Sequence, residues 1–257
     1  MEKLTSRRNP LCLHIKKLGA SRSYRESCGE FLCDGIKLLE EAAMCGADIV
    51  AVLTSSDLPF PLPVDTRAYH AESAIIDSLS PMKNAQNTLF TCKIPRSGAQ
   101  VIARGTHVLL DGVQDPGNVG AILRTANAFG ICSVMLTGGC ADPYNPKTIR
   151  ASMGATFRQS IQHLSLSELS KIKVGGKRFI GASTAKECRK VYDVDYKDAI
   201  IVIGSEGRGI SNEIISLCSE KVTIPISREC ESLNAAVAAA ILLWEAARQD
   251  AFGYTGG

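Results

Sequence analysis

The sequence predicts an α/β fold whose C-terminal part is built on a parallel sheet. Two observations carry this prediction: short, nearly continuous apolar runs recur beyond residue 104, and helical patterns lie between them. Runs of this kind are typical of parallel strands that are covered on both faces. They occupy residues 107–111, 132–137, 178–182, 199–204 and 221–226. We therefore predict one α/β domain over residues 104–257.

A smaller α/β domain is predicted for residues 1–95. The segment FLCDGIKLLEEAAMCG ends in an amphipathic helical pattern that Gly46 closes, and residues 47–54 follow as a strand. The Pro-rich residues 56–65 are predicted to form a loop. Residues 93–100 contain Pro, Ser and Gly, and we predict that they link the two domains.

The composition is that of a folded globular chain. Hydrophobic residues make up 45% of the 257 residues and charged residues 21%. Aromatic residues, at 5%, argue against a surface of stacked rings for single-stranded RNA. The net charge of +3 says little about the binding partner. Residues 1–30, however, hold seven cations against three anions. This basic edge suits phosphate groups, and a solvated charged face is the alternative. The seven cations are Lys3, Arg7, Arg8, Lys16, Lys17, Arg22 and Arg25.

The cysteines predict a cytoplasmic chain without a disulfide scaffold. None of the ten forms a CxxC pair, and no His/Cys cluster has zinc spacing, so we predict no metal site. Several lie inside apolar runs, where they are expected to be small buried side chains in a reducing compartment. The N-terminus lacks the apolar segment of a signal peptide, and no apolar run reaches membrane-spanning length.

Three segments stand out, and the first is LLDGVQDPGNVGAILRTANAFG (109–130). A strand runs into a turn and then a helix, on which an apolar stripe is formed by Val119, Ile122, Ala126 and Phe129. Asn118 lies in the first helical turn, and Arg124 lies off the stripe. At a strand-to-helix junction, these two side chains could address a phosphate or hydroxyl group. A capping asparagine and a solvated surface arginine are the alternative.

The second segment is IIVIGSEGRGIS (200–211), in which Gly204, Gly207 and Gly209 follow a buried strand. The spacing matches neither the dinucleotide-binding fingerprint nor the P-loop, so nucleotide-dependent oxidoreductases and NTPases are disfavoured. The glycines indicate a tight turn or a close approach of the backbone to a ligand. Glu206, between two of these glycines, is unusual for a purely structural residue.

The third segment, VTIPISRECESLNAAVAAAILLWEAARQ (222–249), is a strand that ends at Ile224 and Pro225, then a loop and a helix. The helix is apolar nearly all round, which predicts burial in a core or at a subunit interface. Ser232 precedes it and could be an N-cap.

These three segments together resemble the motifs of the SpoU (TrmH) family of RNA ribose 2′-O-methyltransferases, within the SPOUT superfamily. The resemblance rests on DPGNVGAILRTANAFG, then IGSEGRGI, then IPI with SLNAAVAAAILLWE, in the family's order and spacing. The stretch NPKTIRASMGATF (145–157) is also similar to the family. The N-terminal stretches SRRNPLCLHIKKL and FLCDGIKLLEEA resemble its substrate-binding domain, which is related to certain ribosomal proteins.

The resemblance implies a trefoil knot in the domain at 104–257, a homodimer formed through that domain, and S-adenosylmethionine as cofactor. By position in the motifs, the cofactor-binding residues are Gly204, Ile224 and Leu233, with Thr184 beside them. The positions that match the family's catalytic residues are Asn118, Arg124, Glu206, Ser232 and Asn234. The domain at 1–95 is then an RNA-binding domain, with Arg7 and Arg8 on its basic edge. It favours ribosomal RNA as substrate, while transfer RNA and a catalytically silent RNA-binding protein are the alternatives.

The chemistry that the resemblance implies needs no metal. A ribose 2′-hydroxyl is a weak nucleophile, so the protein has to place its oxygen in line with the methyl group and help to remove its proton. A guanidinium stays protonated, so Arg124 is expected to stabilise the developing alkoxide charge. Asn118 is expected to orient Arg124 or the ribose, and Glu206 to fix Arg124 or balance its charge.

One departure from the family pattern concerns the third motif. Many relatives have a glycine in the loop after the strand, whereas this chain has Arg228 and Glu229 there. The departure leaves Ser232, Leu233 and Asn234 unaffected. A triad hydrolase is disfavoured, because none of the four histidines lies in a nucleophile motif.

Overall fold

A computed structural model describes residues 1–95, 104–185 and 187–251. The chain divides into two compact units. The first comprises Met1–Arg96 and Asp142–Arg158, and the second comprises Ser97–Ala141 and Gln159–Gly257. Residues 96–100 of the predicted linker at 93–100 lie outside the described residues.

Strands and helices are numbered in chain order. The strands are β1 Glu2–Lys3, β2 Glu30–Asp34, β3 Ile49–Thr54, β4 Arg67–His70, β5 Thr88–Lys93, β6 His107–Asp111, β7 Ser133–Leu136, β8 Ile161–His163, β9 Arg178–Ala182, β10 Arg189–Lys190, β11 Ala199–Gly204 and β12 Glu220–Thr223. The α-helices are α1 Pro10–Ala20, α2 Arg22–Cys28, α3 Ile36–Met44, α4 Ser73–Leu79, α5 Pro116–Ala128, α6 Pro146–Ser152, α7 Leu166–Val174, α8 Asn212–Ile215 and α9 Ala235–Ala251.

The first unit contains a mixed sheet in the order β1-β4-β3-β5-β2. Strand β4 is parallel to its neighbours β1 and β3, whereas β5 is antiparallel to β3 and β2. The predicted strand at 47–54 is β3, and the predicted helix before it is α3. The residue at position 46 has a positive φ of 68°, which a glycine adopts without strain, so the helix ends where expected.

Helix α1 shows why the N-terminal residues are helical. The Asn9 side chain caps the helix by accepting the N–H of Leu11 at 2.9 Å, and Pro10 occupies the first turn, where its missing N–H costs nothing. Cys12, Ile15 and Leu18 are buried at spacings of three, so one face of α1 packs into the core. Leu32 of β2 and residues of α4 belong to the same core cluster.

The segment Asp142–Arg158, here called the arm, belongs to the first unit although the sequence analysis includes it in the domain at 104–257. It contains α6. Tyr144 and Phe157 pack against Phe31 of β2, with ring centroids 5.0 Å and 6.2 Å away, and Ile149 is buried in the same core cluster. The arm is in this unit because its apolar side chains bury surface on the unit's sheet.

Arg25 was predicted to lie on the basic edge, and this prediction is wrong. Its side chain is buried, donates to Asp142 of the arm at 2.5 Å, and donates to the carbonyl oxygen of Leu18 at 2.5 Å. A buried guanidinium needs such partners, because its transfer from water is costly. Arg22 is paired with Glu26 at 2.8 Å. The remaining cations of the edge are Lys3, Arg7, Arg8, Lys16 and Lys17, and all five are exposed.

The second unit contains a seven-stranded sheet in the order β10-β12-β9-β11-β6-β7-β8. Every neighbouring pair in it is parallel. The five predicted C-terminal strands are β6, β7, β9, β11 and β12, so the predicted α/β fold with a parallel sheet is confirmed. Strand β12 ends at Thr223, earlier than predicted, and Pro225 has no N–H with which to continue a ladder.

Both faces of this sheet are covered, as its continuous apolar strands require. Helices α5 and α9 share one core cluster, which includes Val119 and Leu242. Residues of α7 and α8, such as Leu169 and Ile214, share another. In the described parts of the chain, no helix combines the length and the apolar character needed to cross a membrane.

Helix α9 is buried on one side only, although it is apolar nearly all round. Ala239, Leu242 and Leu243 are inaccessible, whereas Val237 and Trp244 are each 48% exposed. The exposed side forms an apolar groove with α5, here called the α5–α9 groove. It is lined by Ala121, Ala236, Val237, Ala240, Ile241 and Trp244.

Candidate functional site

The second unit has a cavity of about 820 Å³ formed by the loops that follow β9, β11 and β12. These strands are neighbours in the parallel sheet, in the order β12-β9-β11. The carboxyl ends of parallel strands meet at one edge, so loops distant in sequence converge there. The volume is within the range of ligand pockets, about 300–1,000 Å³.

The four predicted cofactor-binding residues, Thr184, Gly204, Ile224 and Leu233, all line this cavity. Thr184 is exposed, and the other three are partly buried. The N–H of Ser183 donates to the carbonyl oxygen of Val222 at 2.8 Å, which attaches the loop carrying Thr184 to β12. The structure therefore brings together residues that lie up to about 50 positions apart in the sequence.

Gly204 ends β11 at a point where a side chain cannot fit. A Cβ atom there would lie 2.2 Å from the backbone carbon of Gly209, because the loop folds back onto the strand. Two backbone hydrogen bonds close this fold: Ser205 N–H to Gly209 O at 3.1 Å, and Gly209 N–H to Ser205 O at 2.9 Å. Gly209 has a φ of +67°. The glycines therefore serve a tight turn, and the turn forms one wall of the cavity.

Glu206, Asn118 and Asn234 form a hydrogen-bonded chain. The side-chain amide of Asn118 donates to a carboxylate oxygen of Glu206. The Asn118 side-chain oxygen accepts from the Asn234 amide at 3.0 Å. Glu206 also lines the cavity, so the chain of hydrogen bonds begins at the cavity wall. One residue from each of the three motif segments is thereby brought into a single polar cluster.

Two helix N-termini position this cluster. Asp115 caps α5 by accepting the N–H of Asn118 at 2.9 Å. Asn234 caps α9 by accepting the N–H groups of Ala236 and Val237 at 2.9 Å and 3.3 Å. Asn118 is therefore not the cap of α5, and its side chain remains available to Glu206 and Asn234.

Ser232 is not the cap of α9, because Asn234 occupies that position. Its side chain is exposed and lines the cavity, and its carbonyl oxygen accepts from the Cys230 thiol at 3.2 Å. The serine is therefore placed beside the cavity without a structural hydrogen bond from its hydroxyl among the described residues.

Arg124 lies on α5 with an exposed side chain. Within the described residues it has no hydrogen-bond or ion-pair partner, and it is absent from the cavity lining. Among the described residues no hydrogen bond or ion pair joins Glu206 to Arg124, and the Glu206 carboxylate accepts from Asn118 instead, so the geometry does not support the expectation that Glu206 fixes Arg124. Val119 and Ile122, which belong to the apolar stripe predicted for α5, are buried as predicted.

Asp111 is a residue of this region that the sequence analysis did not single out. It ends β6, directly beside Gly204 in the ladder, and is 8% exposed. Its carboxylate accepts from the Thr137 hydroxyl at 2.8 Å and from the N–H of Ser211 at 2.7 Å. It thereby holds the end of the 205–211 loop. The signal in the sequence that could have identified Asp111 was an acidic residue at the end of an apolar strand run.

The other predicted sites have simpler surroundings. Arg7 donates to the carbonyl oxygen of Ala74 at 3.1 Å, and the Arg8 side chain has no partner among the described residues. No cluster of three or more potential metal ligands occurs in the described ranges. Cys218 lines the cavity, and burial raises the pKa of its thiol to about 11, so it contributes a neutral wall.

Comparison with known proteins identifies relatives over nearly the whole chain. The model of the SpoU rRNA Methylase family matches residues 105–244. The 23S rRNA (guanosine(2553)-2′-O)-methyltransferase RlmP of Bacillus subtilis is 28% identical over 95% of this chain and 98% of its own. A solved TrmH-family structure from Porphyromonas gingivalis has a TM-score of 0.85 and 33% identity, and covers 94% of this chain and 98% of that chain. The SpoU methyltransferase AviRb of Streptomyces viridochromogenes, solved with AdoMet, has a TM-score of 0.84 and 27% identity, and covers 95% of this chain and 99% of that chain.

Proposed function

Because this chain belongs to the SpoU rRNA methylase family, we propose that it transfers the methyl group of S-adenosylmethionine to a ribose 2′-hydroxyl of ribosomal RNA. The observation that carries the proposal is the polar chain Glu206–Asn118–Asn234 at a cavity lined by Thr184 and Gly204. The relative RlmP is named for the same reaction on 23S rRNA, and AviRb was solved with AdoMet.

The cavity, at about 820 Å³, is large enough for the nucleoside cofactor S-adenosylmethionine. Ile224 and Leu233 offer apolar walls, and Gly204 lets backbone come close to a ligand. Thr184 adds a hydroxyl at the rim. When bound, S-adenosylmethionine supplies a methyl group that its sulfonium has activated. These four residues hold and orient it.

The polar chain positions the ribose. Asn118 and Glu206 are connected by a hydrogen bond, so the carboxylate points in a defined direction and can orient the 2′-hydroxyl. Asn234 holds Asn118 from the other side, and Ser232 offers beside the cavity a hydroxyl that has no partner among the described residues. As the 2′-hydroxyl proton passes to solvent water, Arg124 stabilises the alkoxide charge that develops, because its guanidinium remains protonated.

The active form is a homodimer in which a second copy covers the α5–α9 groove. The groove is lined by apolar side chains, and Trp244 and Val237 in it are each 48% exposed, so it offers a contiguous apolar surface of the kind that protein–protein contacts cover. Arg124 lies one helical turn after Ala121 of the groove. A second copy seated there would therefore meet Arg124, and the arginine would act close to the partner's cavity. Light scattering of the purified chain tests the dimer.

The second unit carries the trefoil knot of the SPOUT fold, and the first unit is an RNA-binding domain related to certain ribosomal proteins. The exposed cations of the basic edge, Arg7 and Arg8 among them, support RNA contact. The ten cysteines all lie within the described residues and form no disulfide there, which supports a cytoplasmic location.

Mapping of ribose methylation across total RNA, with and without the gene, tests the function. A methylation lost from ribosomal RNA and restored by purified protein with S-adenosylmethionine is the expected result. A methylation lost only from transfer RNA would identify transfer RNA as the substrate. No lost methylation in any RNA would favour the catalytically silent protein.

A further inference from the structure

Two arginines line the cavity from different loops. Arg208 lies in the loop after β11, and Arg228 lies in the loop after β12. Both side chains are exposed, and in the described parts of the chain neither has a hydrogen-bond or ion-pair partner. Arg178, Arg189 and Arg248, elsewhere in the same unit, are each paired with a carboxylate. Arg208 and Arg228 therefore have their full donor capacity available.

Both arginines are carried by hydrogen-bonded turns. Arg208 lies in the turn that the Ser205–Gly209 pair closes, and its N–H donates to the Ser205 hydroxyl at 3.3 Å. Arg228 lies in a turn in which Cys230 N–H donates to Ser227 O at 3.1 Å. The backbone under each guanidinium is thus fixed, which lowers the entropy lost when the side chain binds a ligand.

The charge of the cavity identifies the kind of ligand. Its lining contains four cations and two acids, an excess of two positive charges. The cations are Lys190, Arg208, Lys221 and Arg228, and the acids are Glu206 and Glu231. S-adenosylmethionine has two positive groups and one carboxylate, so this excess does not favour it. An incoming polyanion is favoured, because a guanidinium binds phosphate oxygens in a bidentate manner.

We infer that Arg208 and Arg228 bind backbone phosphates of the RNA next to the nucleotide being methylated. This inference rests on the proposed function and adds an RNA contact in the second unit, apart from the basic edge of the first. Phosphate contacts fix the register of a nucleic acid without reading its sequence. The two arginines would thereby hold the ribose at the mouth of the cavity.

The test compares Arg208→Ala, Arg228→Ala and the double variant with the wild type as full-length chains. Two RNA probes are used: a labelled oligouridylate, which reports phosphate binding alone, and deproteinised ribosomal RNA from a strain lacking the gene. Each single variant is expected to bind RNA up to about fivefold more weakly, the scale of one exposed charge pair. The salt dependence of log Kd for the single-stranded probe should fall by about 0.7 for each phosphate that the variant no longer binds.

Three controls make the test decisive. Arg208→Lys and Arg228→Lys should keep the salt dependence, because the charge remains. Lys171→Ala removes an exposed cation of α7, outside the cavity, and should leave RNA binding unchanged. Calorimetry with S-adenosylmethionine should give wild-type or tighter binding for both alanine variants, which also shows that they are folded.

Two results would overturn the inference. One is an unchanged RNA affinity and salt dependence in the double variant. The other is a loss of S-adenosylmethionine affinity in proportion to the loss of activity, which would assign the arginines to the cofactor's carboxylate. Failure of the proposed function looks different, since the wild type itself would then methylate no RNA.

Discussion

The side-chain amide of Asn234 donates to the side-chain oxygen of Asn118 at 3.0 Å, and this bond fixes the orientation of both amides. The Asn234 oxygen is already occupied by N–H groups at the start of α9, so its NH2 group has to face Asn118. The Asn118 oxygen is then used, and its NH2 group faces Glu206. The helix terminus thus determines where the Glu206 carboxylate is held.

Asn118→Ala is expected to reduce turnover by about tenfold. It removes the donor to Glu206, and a hydrogen bond to a charged group is worth about 1.5–3 kcal/mol, with the lower end appropriate for an exposed carboxylate. Asn118→Asp should also be impaired at neutral pH, because two carboxylates would then face each other. Its activity should recover relative to wild type as the pH falls, when the pair can share a proton. Single-turnover methyl transfer across pH measures this, and normal turnover of Asn118→Asp at neutral pH would contradict it.

Arg124→Ala is expected to reduce turnover by about 10²–10³-fold, the range for removing one group that stabilises developing negative charge. Cofactor affinity and melting temperature should change little, because the side chain is exposed and has no partner among the described residues. Arg124→Lys should restore little, because an ammonium cannot reproduce the planar guanidinium. Near-normal turnover of Arg124→Ala would exclude the charge-stabilising role, and equal losses of activity and stability would indicate a structural one.

Gly204→Ala is expected to abolish cofactor binding and to lower the free energy of unfolding by about 1–3 kcal/mol, the usual cost of overpacking. Its Cβ would lie 2.2 Å from backbone, which cannot move without opening the turn. Gly207→Ala is the matched control, because no atom lies within 4 Å of the added Cβ. Calorimetry and urea denaturation on both variants measure the difference. Similar behaviour of the two variants would refute the steric argument.

Arg25→Ala is expected to destabilise the chain by about 3 kcal/mol, the lower end for a broken buried pair, because it leaves the mostly buried Asp142 carboxylate without its partner. Arg22→Ala, which removes an exposed ion pair with Glu26, should cost at most about 1 kcal/mol. The combination of Arg25→Met with Asp142→Asn should recover part of the loss, since no charge is then left buried. Urea denaturation measures all three, and equal costs for Arg25→Ala and Arg22→Ala would rule out a structural ion pair.

Protonation of Glu30 in acid should lower the free energy of unfolding. Burial alone would raise the pKa of this carboxyl group, but hydrogen bonds from Lys93 and His14 outweigh burial and hold the pKa below its ordinary value. Because the folded pKa is depressed, the contribution to stability is fully present above the unfolded pKa of about 4.3 and is lost as the pH falls through the folded pKa. Melting curves of the wild type and Glu30→Gln across this range should converge at low pH. If the two melting temperatures instead differed by the same amount at every pH, ionisation of Glu30 would contribute nothing to stability.

The sequence predicted the second unit well, because β6 and β11 are continuous apolar runs and a sheet covered on both faces needs such strands. It could not predict which polar side chains pair. Spacing placed Arg124 and Asn118 on one helix and Glu206 on a distant loop, but the choice of Asn118 as the partner of Glu206 depends on where α9 begins.

Arg25 and the arm show a second limit of the sequence. A cation in a charged stretch is expected on the surface, and burial of Arg25 becomes visible only when Asp142, far along the chain, lies beside it. The same holds for Ile149 and Phe157, whose apolar character indicates burial without indicating the sheet that buries them.

The arm also constrains the order in which the chain can fold during synthesis. The core that contains Phe31 and Phe90 is closed by Ile149 and Phe157, so this unit stays incomplete when its first 95 residues leave the ribosome. Strands β6 and β7 of the other unit are translated before the missing piece arrives. At about 5–20 residues per second, the nascent chain waits several seconds with an apolar sheet face that α3 covers only in part, which is a period in which chaperones can bind.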